Sequence, residues 1–240
     1  MILAIDIGNS RVKWGVREGD RWLALGSGAR GDDSTFRSLP AQWAIEAAWI
    51  ANVAGETAAS AVEAEVARRT ARLVWVRSRE SQCGVRNGYL DPEQLGVDRW
   101  MALIGARHLH SGPCLVVCAG TATTIDVLDR DGLFGGGLIL PGLDLMRRAL
   151  ARDTAQLGLD PGRVLDLPRT TADAIASGCM QAQLGAIERQ FARFAGQPDA
   201  LCIVSGGAGR EVFDRLCLPK RFVDNLVLEG LARVAGQPAG

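Results

Sequence analysis

Two stretches of this sequence, 112 residues apart, share one pattern of strands and glycine turns. In each, an apolar strand ends at a glycine turn, a second apolar strand follows, and a charged turn containing glycine leads to a third strand. Asp6 and Cys118 occupy equivalent places. A repeat of this size favours two similar α/β domains whose glycine turns meet at a cleft. Two unrelated hairpins would give the same pattern, so the repeat alone leaves that alternative open.

Apolar runs and their periodicity predict the elements of both halves. Strands are predicted within residues 2–7, 12–16, 22–25, 44–53, 73–76, 114–118, 124–128, 133–140 and 201–204, and helices within 58–69, 91–110, 143–157 and 171–194. Residues 225–235 are predicted as a short strand or helix. The predicted domains are 1–112 and 113–240, each a mixed sheet flanked by helices.

Charge and cysteine usage exclude several function classes. With 27 basic and 27 acidic residues, the chain has no electrostatic basis for binding nucleic acid or an anionic membrane. The N-terminal run is a strand without a basic segment or cleavage site, and no apolar run is long enough to cross a bilayer. The six cysteines form no C-x-x-C pair and lie away from both histidines, so we expect no zinc site and reduced thiols in the cytoplasm.

The first motif that bears on chemistry is Asp6-Ile7-Gly8-Asn9-Ser10, with Lys13 beyond it. A turn at Gly8 lets backbone N–H groups approach phosphate oxygens. A carboxylate at the end of a buried strand is costly unless it serves a cation or several donors, and Asp6 suits a Mg²⁺ ion held through water. Such turns are also common in ordinary proteins, so the motif is weak by itself.

Two further glycine turns follow apolar strands. Gly120-Thr121-Ala122-Thr123-Thr124 offers small residues and hydroxyls, which could cradle a second anion. Ser205-Gly206-Gly207-Ala208-Gly209 could let a flat group such as adenine lie against the backbone. Neither is a dinucleotide fingerprint or a P-loop. Three separated turns of this kind together indicate an ATP clamp more strongly than any one of them.

A fourth segment runs from Asn87 to Trp100 and contains Gly96 followed by Asp98-Arg99. A charged pair on a surface helix is usually only a solvated face. Near a phosphate site, however, Asp98 could accept the proton of an attacking hydroxyl, and the planar fork of Arg99 could hold a substrate carboxylate.

Taken together, DIGNS, NGYLDPEQLGVDRW, GTATTID, GGGLILPG, TTADAIASG and VSGGAG resemble the type III pantothenate kinases, also called the Bvg accessory factor family. The resemblance runs from Met1 to about Ala235, and the segment around Gly96–Trp100 is its most specific part. It implies an α/β fold of two ribonuclease-H-like domains of the actin/Hsp70 type, with a cleft between them. It also implies phosphorylation of pantothenate by ATP, the first step of coenzyme A synthesis.

The resemblance also implies roles for individual residues. ATP phosphates would be held by Asp6, Ile7, Gly8, Asn9, Ser10, Arg11, Val12, Lys13 and Thr121, and pantothenate by Tyr89, Gly96, Val97, Asp98, Arg99 and Thr171. Asp98 would be the proton acceptor, and Mg²⁺ and a monovalent cation (K⁺ or NH₄⁺) would assist. Members are typically homodimers with the pantothenate site near the dimer interface.

One position departs from the family pattern, which has Asp where this chain has Cys118. The family associates that Asp with the monovalent cation, and a neutral thiol is a poor partner for a hard cation. Two outcomes are open: the cation is dispensable, with its charge supplied by a side chain such as Lys13, or catalysis is weakened and the chain acts mainly as a nucleotide-binding regulatory factor. The other motif residues are intact, which favours an active enzyme. The alternatives to pantothenate kinase activity are an ATP-binding regulator without turnover, a kinase of another small alcohol, and a structural module with chance glycine turns.

Overall fold

A computed structural model describes residues 1–32, 34–153 and 160–237. The first 111 residues contain strands β1 (Ile2–Ile7), β2 (Arg11–Glu18), β3 (Arg21–Ala29), β4 (Ala47–Asn52), β5 (Leu73–Trp75), β6 (Ser81–Gln82) and β7 (Val85–Asn87), helices α1 (Glu56–Val66) and α2 (Val97–Leu109), and a 3-10 turn at Pro92–Gln94. The remainder contains β8 (Cys114–Ala119), β9 (Ala122–Leu128), β10 (Leu133–Pro141), β11 (Leu201–Ser205) and β12 (Lys220–Phe222), with helices α3 (Leu143–Asp153), α4 (Thr171–Phe191), α5 (Gly209–Arg215) and α6 (Leu226–Ala235), and a 3-10 turn at Ala192–Phe194.

The helix predicted over residues 91–110 is in fact two pieces. Pro92 starts a short 3-10 turn, and Leu95 and Gly96 are then extended before α2 begins at Val97. The helix predicted over 143–157 is present as far as Asp153, and residues 154–157 lie outside the described part of the chain. The short elements β6, β7, α5 and β12 are not predicted by the sequence pattern.

Contacts between residues divide the chain into two units. The first comprises Met1–Ser111, Asp131–Phe134 and the segment from Asn225 onward, and the second comprises Gly112–Arg130 and Gly135–Asp224. Residues from Asn225 onward were assigned by sequence to the second half, whereas their contacts are with the first unit. The division into domains at residue 112 stays a prediction.

The sheet of the first unit has the strand order β3-β2-β1-β4-β5. β1 is antiparallel to β2, β2 is antiparallel to β3, and β4 and β5 continue in parallel. Both faces of β1 are covered, which explains why its apolar run is nearly continuous. Leu3, Ile5 and Trp14 lie in its core with almost no exposed surface.

The second unit repeats this order as β10-β9-β8-β11-β12. β8 is antiparallel to β9, and β11 and β12 are parallel to their neighbours. The five strands of each unit therefore follow one plan, with β1 equivalent to β8. This agreement supports the internal repeat that the sequence predicted and places Asp6 and Cys118 at equivalent strand positions.

The C-terminal helix α6 completes the first unit. It packs against α2, where Gly230 approaches the backbone of Met101 so closely that a Cβ atom would collide with the Met101 carbonyl oxygen. Glu229 accepts hydrogen bonds from Trp22 Nε1 at 2.7 Å and from Arg17 at 3.1 Å, which ties the helix to the β2-β3 hairpin. In the described part of the chain, no helix is long and apolar enough to cross a membrane.

Candidate active site

Asp6 is the next-to-last residue of β1 in the first unit, directly opposite Lys13 of β2. The chain turns tightly between them, and the Gly8 N–H donates to the Arg11 carbonyl oxygen at 2.9 Å. Asn9 and Ser10 are exposed at this turn. It therefore presents neutral donors next to one carboxylate and one ammonium group.

The flanking apolar residues of the turn face the core. Ile7 and Val12 are buried, so their backbone groups, rather than their side chains, could contact a phosphate. Arg11 is exposed and donates to Ser27 Oγ at 2.9 Å. Of the predicted phosphate ligands in this segment, the backbone of the turn and Lys13 are the best placed.

Asp98 lies in the first turn of α2, and its Oδ1 accepts a hydrogen bond from the Arg99 N–H at 2.8 Å. Gly96 precedes the helix, and a Cβ atom there would come within 2.7 Å of Asp98 Oδ1. Glycine at this position leaves room for the carboxylate. The positive end of the α2 dipole also favours negative charge in this turn.

The charge of Asp98 affects the pKa of Asp6. Loss of hydration, followed by repulsion from Asp98, raises the pKa of Asp6 to about 7, although Lys13 acts in the opposite direction. Burial also raises the pKa of Asp98, and the hydrogen bond from the Arg99 N–H opposes that shift. Two carboxyl groups with raised pKa values in one site are suited to proton transfer or to a cation.

Arg99 is 5% exposed and its guanidinium is held by aromatic side chains. Its Nη1 donates to the Tyr89 hydroxyl at 2.8 Å, and its Cζ lies 5.6 Å from the Tyr89 ring centre and 5.7 Å from that of Phe134. The two rings are themselves 5.2 Å apart. This cluster fixes the direction in which the guanidinium can bind a carboxylate.

The segment before α2 is shaped by residues that sequence reasoning missed. Asn87 accepts from the Tyr89 N–H and donates to the Pro92 carbonyl oxygen, each at 3.1 Å. Buried Ser78 donates to the Leu95 carbonyl oxygen at 2.7 Å. Phe134, also missed, comes from a distant glycine-rich strand. The Asn-Gly pair at 87–88 was the one local signal of a turn here.

In the second unit, Thr121 follows Gly120 in the turn between β8 and β9. The Gly142 N–H donates to the Thr121 carbonyl oxygen at 2.9 Å, and a Cβ atom at Gly142 would collide with the Gly120 carbonyl oxygen. The Ala208 N–H donates to the Ala119 carbonyl oxygen at 3.0 Å. Turns from three parts of the chain therefore meet around Ala119–Thr121.

Cys118 lies next to hydroxyl side chains. It is directly opposite Thr124 of β9 and Ser205 of β11, and directly paired residues share a face of the sheet. Thr124 is buried, and its Oγ1 has no hydrogen-bond partner among the described residues. This face thus offers a thiol, hydroxyls and, two residues beyond Thr124 on β9, the buried carboxylate of Asp126, with no carboxylate at the position equivalent to Asp6.

Thr171 is the first residue of α4 and is exposed. It borders an apolar pocket of about 670 Å³ between α3 and α4, which is also lined by Leu145, Met146 and Ile175. The structure thus groups Asp6, Lys13 and Asp98 in the first unit, with Tyr89 and Arg99 beside Asp98. Thr121, Cys118 and Thr171 belong to the second.

Comparison with known proteins assigns the chain to a family. The family model for type III pantothenate kinase matches residues 2–193. A type III pantothenate kinase from Aromatoleum aromaticum is 50% identical over 240 residues, covering 100% of this chain and 99% of the relative.

Solved structures agree on the fold. A Baf family protein from Campylobacter jejuni superposes with a TM-score of 0.60 at 18% identity, covering 97% of this chain and 96% of that one. The activator of 2-hydroxyisocaproyl-CoA dehydratase from Clostridium difficile, with bound ADPNP, gives 0.54 at 14% identity, covering 98% and 92%. The mixed α/β fold with two sheets that the sequence predicted is confirmed. On the full-length match to its relatives, this chain belongs to the type III pantothenate kinase family.

Proposed function

We propose that this chain transfers the γ-phosphoryl group of ATP to the primary hydroxyl of pantothenate, the first step of coenzyme A synthesis. Family membership supports the donor and the acceptor. The observation that carries the proposal is the pair at the start of α2. There, the Asp98 carboxylate accepts the Arg99 backbone N–H, and Tyr89 fixes the Arg99 guanidinium.

Asp98 would act as the proton acceptor. The pantothenate hydroxyl oxygen forms a bond to the γ-phosphorus, the bond from that phosphorus to the bridging oxygen breaks, and ADP leaves. The hydroxyl proton passes to Asp98, whose raised pKa brings its proton affinity closer to neutral pH. Because a primary alcohol is a weak nucleophile, alignment of the hydroxyl contributes as much as proton removal.

In the first unit, Arg99 and Tyr89 would hold the carboxylate of pantothenate, with the backbone of Gly96 and Val97 shaping the pocket, and the Gly8–Arg11 turn and Lys13 would hold ATP phosphates. In the second unit, Thr121 would contribute to ATP binding and the Thr171 hydroxyl to pantothenate binding. Support comes from the donors present at each place and from the rigid support of the guanidinium.

Asp6 fits a Mg²⁺ ion held through water. Burial and the charge of Asp98 raise the pKa of Asp6, and a divalent cation would compensate the charge of its carboxylate. The described residues contain no cluster of three metal-binding side chains, in keeping with Mg²⁺ retaining several waters and phosphate oxygens. When bound, Mg²⁺ would neutralise phosphate charge during transfer.

The residues directly paired with Cys118 fit K⁺ poorly. They supply hydroxyls beside the thiol and no negative oxygen, and the buried carboxylate on this face, that of Asp126, lies two residues beyond Thr124 on β9. We therefore propose phosphoryl transfer that does not pass through a monovalent cation.

We further propose a cytoplasmic homodimer. Leu145 and Leu150 on α3 are 40% and 38% exposed beside the pocket that Thr171 borders, and a second copy could cover this apolar face. Sedimentation velocity would test the assembly, with a single monomeric species contradicting it.

The test of the activity is a substrate panel at saturating Mg-ATP. Pantothenate should support ADP release and yield a phosphorylated product, whereas pantothenol, which lacks the carboxylate, and simple sugars should not. Comparable rates with pantothenol would point to a kinase of another alcohol. ATP binding without turnover of any substrate would favour the regulatory alternative, for which the loss of a carboxylate at position 118 is the one specific observation.

A further inference from the structure

An arginine and a phenylalanine form a stacked pair at the start of α5. The Cζ atom of Arg210 lies 3.8 Å from the centre of the Phe222 ring, which is the separation of planar groups in van der Waals contact. Phe222 is supported in turn by Phe213, whose ring centre is 5.7 Å away. Arg210 is exposed and forms no hydrogen bond or ion pair with any described residue. One face of its guanidinium is therefore covered by Phe222, and the other remains open.

The Arg210–Phe222 pair lies next to the glycine turns of the second unit that are predicted to bind the nucleotide. Arg210 follows the Ser205–Gly209 segment, in which Gly206 has a φ of +101° and approaches the Ala119 carbonyl so closely that a Cβ atom would collide with it. Ala119 leads directly into Gly120-Thr121. A side chain at Gly207 would meet no described atom within 4 Å, so there is open space beside the turn.

We infer that Arg210, backed by Phe222, is a stacking platform for the adenine of ATP. The inference rests on the proposed function, since it takes ATP to be the nucleotide. A neutral, planar base gains both dispersion and cation–π attraction from a guanidinium face. A phosphate would instead need the in-plane N–H groups of Arg210.

The neighbouring cation does not compete for this role. Lys220 donates from Nζ to the carbonyl oxygens of Phe213 and Leu216, at 2.5 Å and 2.6 Å, and so closes the end of α5. Its ammonium lies over the Phe213 ring, 4.6 Å from the ring centre. Lys220 thus holds the aromatic support in place, and Arg210 supplies the open face.

A stacking platform favours bases without reading their edges, because every base has a π face. Arg210 should therefore raise affinity for ATP and GTP alike. If Arg210 is such a platform, selectivity for ATP over GTP is either weak or comes from residues other than Arg210.

Calorimetric binding of ADP, GDP and tripolyphosphate to the full chain tests the platform. Arg210→Ala should weaken ADP and GDP binding by about tenfold and leave tripolyphosphate binding within about twofold. Arg210→Lys, which keeps the charge but loses the planar face, should weaken ADP nearly as much. Phe222→Leu, which removes the aromatic ring that supports the Arg210 guanidinium, should weaken ADP binding by a smaller factor. Arg215→Ala, on the same exposed helix, is the matched control and should bind like wild type.

The outcomes separate this inference from the proposed function. Equal losses for ADP and tripolyphosphate would make Arg210 a phosphate ligand and overturn the platform, as would unchanged ADP binding in Arg210→Ala. Wild-type turnover of pantothenate in either case would leave the kinase proposal standing. If Arg210→Ala selectively loses ADP affinity but the wild-type protein never phosphorylates pantothenate, the platform stands and the kinase proposal is overturned. Absence of ADP binding to wild type would overturn both.

Discussion

Asp98 lies close enough to Asp6 for its charge to raise the pKa of Asp6, after the larger effect of lost hydration. The two carboxyl groups come from the end of β1 and the start of α2, which are far apart in sequence. Because of this proximity, the stability of the first unit depends on whether the Asp6 carboxyl group is protonated. Asp98 remains the residue proposed to accept the substrate proton.

Stability should depend on pH through Asp6. In the folded chain its pKa is about 7 against an ordinary value of 3.8, so the folded state binds more protons between these two pH values. The free energy of unfolding therefore falls as pH rises through that window, by an amount on the order of a few kcal/mol. Asp6→Asn should melt like wild type near pH 4.5 and at a higher temperature than wild type at pH 8.

At pH 8, Mg²⁺ should reduce the difference in melting temperature between wild type and Asp6→Asn, because the cation compensates the charge of the Asp6 carboxylate in wild type. Thermal melts across pH, with and without Mg²⁺, provide the measurement, and Asp214→Asn, which alters an exposed carboxyl, provides the control. A wild-type protein whose stability rises from pH 4.5 to 8 relative to Asp6→Asn would contradict the assignment.

Removing the proton acceptor should reduce turnover without affecting nucleotide binding. Asp98→Asn keeps the size of the side chain but cannot accept the hydroxyl proton, so kcat should fall by about 10²- to 10⁴-fold. ADP affinity, measured by calorimetry, should stay the same, and Asp214→Asn should keep full activity. Wild-type kcat in Asp98→Asn would remove Asp98 from the chemistry.

Tyr89 should act by orienting Arg99. Tyr89→Phe retains the ring under the guanidinium but loses the hydroxyl that accepts its hydrogen bond. KM for pantothenate should rise by about fivefold to tenfold, in line with loss of one hydrogen bond to a charged group, while kcat changes little. Initial-rate kinetics give both constants. A fall in kcat at constant KM would instead place Tyr89 at the reacting atoms.

Cys118 should determine the response to K⁺. Wild-type rates in K⁺ and in a large organic cation should agree within about twofold, since the side chains paired with Cys118 supply no negative oxygen. Cys118→Asp supplies one and should create a dependence on K⁺, with Cys118→Ser as the neutral control. Strong activation of wild type by K⁺ would show that other groups hold the cation.

Two glycines in helices should respond oppositely to alanine. Gly230→Ala would drive a methyl group into the Met101 carbonyl and should destabilise the protein by about 1–3 kcal/mol. Gly185→Ala in α4 meets no described atom within 4 Å and should stabilise by up to about 1 kcal/mol through helix propensity. Urea unfolding measures both. Equal effects would mean that close packing of α6 on α2 is not what Gly230 provides.

The sequence predicted the features that depend on local pattern. Continuous apolar runs marked the central strands β1 and β8, and the repeated pattern of strands and glycine turns predicted an internal repeat, which the matching strand orders of the two units support. The Asp98-Arg99 pair was found because its charges stand beside a glycine. The prediction of a continuous helix failed at Gly96, where the packing of the Asp98 side chain, rather than helix propensity, decides the backbone.

Other site features depend on contacts between distant residues. Phe134 contacts Arg99 from a strand that comes 35 residues later in the sequence. Nothing in the sequence near either residue indicates that contact. Strands as short as β6 and β12 persist because their neighbours supply the hydrogen bonds. The Arg210–Phe222 pair likewise joins a helix to a strand across a turn.

The position of α6 has a consequence for how the chain is made. Strands β1 to β5 are translated well before the helix that covers β1 and packs on α2. Until α6 is translated, the surfaces of β1 and α2 that it covers remain open. The first unit should therefore stay partly assembled until then, and ribosome-bound chains stalled before Leu226 should remain sensitive to protease.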